Sequence, residues 1–304
     1  MPEGRDLIFL LLGIIGIGTS GPLIAMSVMP ILTLIFWRNL GGSLILAPFA
    51  LRSRWNARRN RSVGAEDRLM IGIRWSIVAG IALAAHFIFF FASMRLTTVA
   101  AGTALTALQP IFAAILVVRL GGHIPKRAWT GMFISFLGLL IITGVDFGHS
   151  FHAFLGDLAA IICAALAAIY VIVGSRAQHY VPTSIYTATC YFICSMVALL
   201  AALLSGEQIS GFHRHEWLVL LGLIAGAQIL GHTMFNLTLP RVSPAIVSLI
   251  VFFEVPVSAV LAYWWLGQLP PPGIIPGVIL LLAGCALFVL RNKNSLPTKN
   301  SVTE

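Results

Sequence analysis

Charge is what this 304-residue chain has least of. Asp, Glu, Lys and Arg make up 10% of it, against about 25% in a soluble domain. With 59% hydrophobic residues and a mean hydropathy of +0.96, it cannot cover itself with a water-compatible surface, which excludes a soluble globular protein. No soluble domain fits outside the membrane either, since the longest stretch between apolar runs is the basic linker Arg52 to Arg74. Cysteine is sparse: Cys163, Cys190, Cys194 and Cys285 all fall inside apolar runs, where thiols behave as small hydrophobes, so no disulfide framework is implied. Cys190 and Cys194 share a helix face at i, i+4, but no His or carboxylate on that helix completes a metal site. Neither a metal nor a cofactor is expected.

What is present is apolar sequence in spanning lengths. About 20 apolar residues cross the hydrocarbon core. Ten segments qualify, near 7–27, 29–51, 73–94, 97–118, 128–145, 154–174, 184–205, 216–237, 243–266 and 274–290. A net charge of +9 is compatible with nucleic-acid binding, but the basic residues fall on one side. With a cytoplasmic N-terminus the inner set is Arg5, Arg52, Arg54, Arg58, Arg59, Arg61, Arg68, Arg74, Arg119, Lys126, Arg127, Arg176, Arg241, Arg291, Lys293 and Lys299, which is 16 of 19. Arg95 and Arg214 fall outside and Arg38 lies within a span. This bias predicts ten spans with both termini inside, a multi-pass protein of a bacterial-type cytoplasmic membrane whose surroundings are lipid and not nucleic acid. The start, Arg5 to Gly21, has the ingredients of a signal peptide, yet reads as the uncleaved first span.

Residues 79–138 repeat at 225–284 with a constant offset of 146 and no gap. Twelve of the sixty pairs are identical, among them Gly80/Gly226, His86/His232, Arg95/Arg241, Pro110/Pro256, Gly121/Gly267, Pro125/Pro271, Gly131/Gly277 and Gly138/Gly284. Shared hydrophobicity does not align Gly, Pro, His and Arg. Asp6 and Asp157 likewise open apolar runs about one helix before Pro30 and Pro182. A duplicated unit of five spans, an odd number, re-enters the membrane from the opposite side. The predicted fold is therefore an all-α membrane protein of ten transmembrane helices in two inverted five-helix repeats. Residues 1–148 form the first repeat, 149–291 the second, and 292–304 a polar cytoplasmic tail.

Chemistry must come from the polar groups at membrane depth, where an ionised side chain costs roughly 2.5–3.5 kcal/mol on insertion scales. Two qualify near the midplane: Arg38 in the second span and Glu254 in the ninth, the one acid of ten that sits deep in a span, the others being at span ends, in loops or in tails. Glu254 could exchange protons during a cycle, or form a fixed ion pair with Arg38, or be a neutral carboxyl bonded to backbone freed by Pro256. Arg38 could hold a carboxylate or phosphate bidentately. Gln228, His232 and Asn236 recur every four residues, which stacks them on one α-helical face. On the paired face, Ala82, His86 and Phe90, only the histidine is shared. Gln109, Tyr170, Tyr186 and Tyr191 are further candidate liners, each equally able to serve as a helix–helix hydrogen bond. Pro110 and Pro256 interrupt the fourth and ninth spans at matching places, which predicts kinks pointing to the site. Pro270-Pro271-Pro272 reads as a stiff outer connector. Gly16-Ile17-Gly18-Thr19-Ser20-Gly21 matches a dinucleotide fingerprint by letter, but it lies inside an apolar helix with no strand before it, so these glycines read as close-packing residues, as do Gly131/Gly138 and Gly277/Gly284.

Two five-span copies, each with a proline in its fourth span, a following Leu-Gly (Leu120-Gly121, Leu266-Gly267) and a glycine-marked fifth span, resemble the EamA family of the drug/metabolite transporter superfamily over about residues 7–290. Arg38 is similar to an arginine common in that family's first repeat; the family's frequent first-span Trp-Gly is Gly18-Thr19 here. The resemblance implies ten helices around a central cavity and movement of a small metabolite, often export of amino acids or related compounds. The expectation is a carrier rather than an enzyme, with a midplane cavity lined by Arg38, His86, Gln109, Tyr170, Gln228, His232, Asn236 and Glu254. A lipid or isoprenoid flippase or a channel-like permease is the alternative. An intramembrane enzyme would need a carboxylate pair or a metal cluster, and one deep glutamate supplies neither. Substrate, direction, coupling ion and oligomeric state are left open by the residues.

Overall fold

The computed structural model describes residues 4–59, 65–119, 121, 128–238 and 252–292, and every regular element among them is helical. Two helices make the first span, α1 (Gly4–Gly18) and α2 (Ser20–Met26), joined at Thr19, whose hydroxyl donates to the Gly16 carbonyl at 2.7 Å. The second and third spans are α3 (Ile31–Arg59) and α4 (Ala65–Leu96). These run well beyond the apolar limits expected, so most of the basic segment 52–74 is helix rather than linker; residues 60–64 lie outside the description. The fourth span is divided into α5 (Val99–Thr106) and α6 (Gln109–Arg119), and the fifth is α7 (Ala128–His149).

The second half follows with α8 (Phe151–Gln178) and α9 (Thr183–Leu204). Its eighth span is α10 (Arg214–Gly222), a π-helical stretch Leu223–Thr233 and α11 (Met234–Thr238). Of the expected ninth span, residues 243–251 fall outside the described residues and α12 (Glu254–Leu266) is its visible part. A 3₁₀ turn, Pro272–Ile274, then leads into α13 (Ile275–Asn292). Arg241, Pro125, Leu120 and residues 293–304 also lie outside the description. Seven spans are long and apolar enough to cross a membrane, and two shorter apolar helices, Trp129–Val145 and Pro272–Leu287, stand for the fifth and tenth. Backbone bonds closed within each helix are what hydrocarbon demands, since no water is there to satisfy them.

The inversion is written into two seams. Between α7 and α13, an added Cβ on Gly138 would meet the Gly277 carbonyl at 2.6 Å, and one on Gly284 would meet the Gly131 carbonyl at 2.6 Å. As the first helix advances from 131 to 138 its partner retreats from 284 to 277, so the helices are antiparallel. The 146-residue offset turns one contact into the other, and Ser135 Oγ donates to the carbonyl of its own repeat partner, Leu281, at 3.1 Å. Between α3 and α9, Ser43 Oγ donates to the Ala188 carbonyl at 3.0 Å and Ser195 Oγ to the Phe36 carbonyl at 3.2 Å. These two bonds exchange under an offset of 152, the spacing of Pro30 and Pro182. A contact that maps onto itself when the halves are exchanged is isologous, the mark of a two-fold relation.

Around these seams α4 packs on α8 and α9, and α1 packs on the π-helical stretch. The latter approach is close because Gly16 has no side chain: a Cβ there would lie 2.6 Å from the Gly231 nitrogen and 2.7 Å from the Gly226 carbonyl. That is the packing role read for this glycine run. Gly121 (φ 89°) and Gly267 (φ 63°) take the same left-handed turn at matched positions, which L side chains adopt only at a cost.

Candidate functional site

The fourth span breaks at residues that match the start of the described part of the ninth. In the first half the break is the turn Ala107-Leu108, between α5 and α6; in the second the turn Phe252-Phe253 leads into α12, and Ala107 pairs with Phe253 under the repeat offset. Around Pro110 the expected interruption takes the form of a division between two helices; the residues that precede Phe252 lie outside the description. Pro110 and Pro256 sit in the first turn of α6 and α12, where a missing N–H costs nothing because that group has no intrahelical partner. Pro110 thus starts α6 rather than bending a continuous fourth span, and Pro256 falls in the opening turn of α12. Pro110 lines the cavity described next, whereas Pro256 is exposed.

A cavity of about 240 Å³ lies beside the first break, with elements of both halves in its wall. The first half contributes the polar groups Ser20, His86, Thr103, Thr106 and Gln109; the second contributes Tyr170, His232 and Glu254. Phe87, Phe90, Phe235 and Phe252 supply aromatic wall. Of the residues expected to line a cavity, His86, Gln109, Tyr170, His232 and Glu254 do. The repeat-matched histidines flank one ring, with the Phe87 centroid 5.2 Å from that of His86 and 6.4 Å from that of His232. His86 Nδ1 is 3.1 Å from the Cys163 carbonyl and 3.2 Å from its Sγ, so Cys163 fixes the ring from one side. Among the described residues no hydrogen bond or ion pair holds the Glu254 carboxyl.

Arg38 and Gln228 are not in the cavity wall, which corrects the expectation for both. Arg38 is fully buried behind it: Nε donates to Gln228 Oε1 at 2.9 Å, Nη1 reaches Ser20 Oγ at 3.5 Å, and the guanidinium carbon lies 4.5 Å from the Phe87 ring centre. Nη2 has no hydrogen-bond partner among the described residues. Gln228 Nε2 donates in turn to Asn39 Oδ1 at 3.4 Å. A planar, weakly hydrated guanidinium suits this lodging between an amide and an aromatic face. The considered Arg38–Glu254 ion pair is absent among the described residues.

The stripe Gln228, His232, Asn236 is also corrected. Residues 223–233 are π-helical, with Thr233 Oγ1 donating to the Gln228 carbonyl five residues back at 3.1 Å. Four residues fall short of one turn in a helix bonded i to i+5, whereas they slightly exceed a turn in an α-helix. Gln228 therefore points to Arg38 while His232 lines the cavity. The side chain of Asn236 lies outside the described residues. Tyr186 and Tyr191 are buried in α9, away from the wall.

Several polar contacts went unread in the sequence. Glu216, taken as a loop acid, is 4% exposed in the first turn of α10. Its Oε2 accepts from Ser27 Oγ at 2.6 Å and from the Val28 and Met29 amides at 3.1 and 3.2 Å. Glu207 Oε2 accepts from the Thr33 amide at 3.1 Å, Gln268 Oε1 accepts from the Val99 amide at 3.0 Å, and Arg95 donates to the Met29 carbonyl. On this face three second-half side chains clamp helix ends of the first half, satisfying amides that would otherwise be orphans. The lining residue Ser20 was inside the glycine-rich run, hidden by its motif reading, and the wall phenylalanines were hidden by the general abundance of apolar residues.

Comparison with known proteins agrees with this architecture. The model of the EamA-like transporter family matches residues 5–144 and 154–290, one match for each half. One solved crystal structure is similar over 96% of this chain and 99% of its own, with a TM-score of 0.64 and 18% identity, a likeness that shows the fold. No curated protein matches.

Proposed function

The chain belongs to the EamA-like transporter family, an integral multi-pass membrane transporter of the drug/metabolite type, and we propose that it is a secondary-active exporter of a small amphipathic metabolite such as an amino acid. The observation that carries this reading is the cavity walled by both halves, beside the break in the fourth span and the turn that opens α12. Inverted units that share a site can open it to one side and then the other by rocking on their seams. In this proposal both termini are cytoplasmic, which puts the Glu216, Glu207 and Gln268 clamps on the outer face, where they hold the outer side shut and release when it opens.

Substrate would rest against His86, Gln109, Tyr170 and His232, with Arg38 and Gln228 bracing the wall from behind. Glu254 is the proton-exchange group: a carboxyl in a membrane cavity is stable when neutralised, so it holds either a proton or a substrate, and loss of one admits the other. The test is counterflow in proteoliposomes. Saturable flux of labelled metabolite, accelerated by unlabelled metabolite on the opposite face, supports a carrier; flux that neither saturates nor responds is that of a pore. Glu254→Gln is expected to abolish drive by a pH gradient. Unchanged, pH-driven transport in that variant would remove the coupling role.

A further inference from the structure

The cavity's charge is one-sided. Glu254 is the one acidic residue among its described lining residues, and no Lys or Arg is among them. The nearest guanidinium, Arg38, is screened: Phe87 both lines the cavity and carries the guanidinium on its ring, while Ser20 and Gln228 take the Arg38 donors that make hydrogen bonds. What faces a solute is therefore a single carboxyl, Glu254, among the hydroxyl and amide groups of Ser20, Thr103, Thr106, Gln109 and Tyr170 and two imidazoles, within aromatic walls. Aromatic faces attract cations, and a carboxylate in a low-dielectric cavity repels a second one. An amino-acid zwitterion would bring its own carboxylate to a wall whose described residues include no cation to receive it.

We propose that the cavity binds an organic monocation, a protonated or quaternary amine on an apolar body, and that Phe87 is the specificity-determining residue that withholds Arg38 from the solute. The amine sits against Glu254 and the phenyl faces. This rests on the carrier reading and narrows its solute, replacing the amino-acid example with an amine that has no carboxylate. Removing the Phe87 ring uncovers a cation and converts the wall to one that also accepts anions.

The charge assignment is tested by equilibrium dialysis on the full chain in nanodiscs, with labelled benzyltrimethylammonium as the probe and 2-phenylethylamine, phenylalanine and 3-phenylpropionate as competitors. These share a phenyl body and differ in charge. Phenylethylamine is expected to displace the probe at least tenfold more effectively than phenylalanine, and phenylpropionate not to displace it. Glu254→Gln weakens probe binding at least tenfold. Direct binding of labelled phenylpropionate is expected to rise at least tenfold in Phe87→Ala and to be lost again in the double variant Phe87→Ala, Arg38→Met. Phe87→Leu, which keeps apolar volume, gives the same direction of change if the alanine variant does not fold.

Equal displacement by amine and acid, absence of probe binding, or unchanged anion binding in both Phe87 variants would each overturn the proposal. Counterflow separates it from the carrier reading. Cation binding without exchange sinks the carrier and leaves the charge assignment standing; exchange of anions in preference to amines does the reverse.

Discussion

At the α7–α13 and α3–α9 seams the two halves are interchangeable; around Arg38 they are not. Glycine meets carbonyl at 131/284 and again at 138/277, and a serine hydroxyl meets a carbonyl at 43/188 and again at 195/36. Carrying Arg38 and Gln228 through the same offsets, 152 and 146, lands on Cys190 and Ala82, a buried thiol and a methyl group. The guanidinium–amide pair thus has no image. Packing was kept double while the charge was made single. A scaffold that rocks needs matched bearings, but a solute that binds once needs one set of polar groups, so the two regions answer to different demands.

This contrast can be broken or sharpened in order of expected effect. Gly138→Leu and Gly284→Leu should each destabilise the protein by ~3 kcal/mol or more, because the side chain would displace backbone of the facing helix. Thermal unfolding in detergent is the measurement, and a much smaller loss for one than the other would deny the seam its symmetry. At the unmatched site the expectation reverses. Arg38→Ala should cost about 2 kcal/mol, since it strands the buried Gln228 oxygen, whereas Cys190→Ala should cost under about 1 kcal/mol; equal melting shifts would show that the charge is incidental. Gly121→Ala and Gly267→Ala should each lose about 1–2 kcal/mol through the left-handed backbone their turns require. Smallest, Ser43→Ala and Ser195→Ala should each lose ~1 kcal/mol, one neutral hydrogen bond apiece, and agree within the error of a denaturation series.

The repeat was legible because Gly, Pro, His and Arg are costly or special in a membrane helix, so their recurrence at one offset carries geometric meaning. The seams followed from it: Gly131, Gly138, Gly277 and Gly284 were recognisable as packing residues before their partners were known. His86, Gln109, Tyr170, His232 and Glu254 lie in the cavity wall, each a polar side chain with few other places to go at that depth. Arg38 and Gln228 were expected in the cavity wall, but which side of Phe87 they occupy depends on helix rotation, and periodicity cannot supply that. The π-helical stretch defeated the i, i+4 stripe because its bonding pattern has no residue-level signature in Leu223–Thr233. Glu216 and Glu207 were out of reach for another reason: their value comes from amides some 170 to 190 residues away, and a carboxylate near a loop looks the same with or without them.

The glycine seam has a consequence for how such a chain can be assembled. Its contacts are reciprocal, so the surface with which α7 receives α13 is the surface α13 offers back. A severed half would present to an upturned copy of itself the same complementary groove, and the covalent joint near residue 150 then fixes a pairing that the helices already encode.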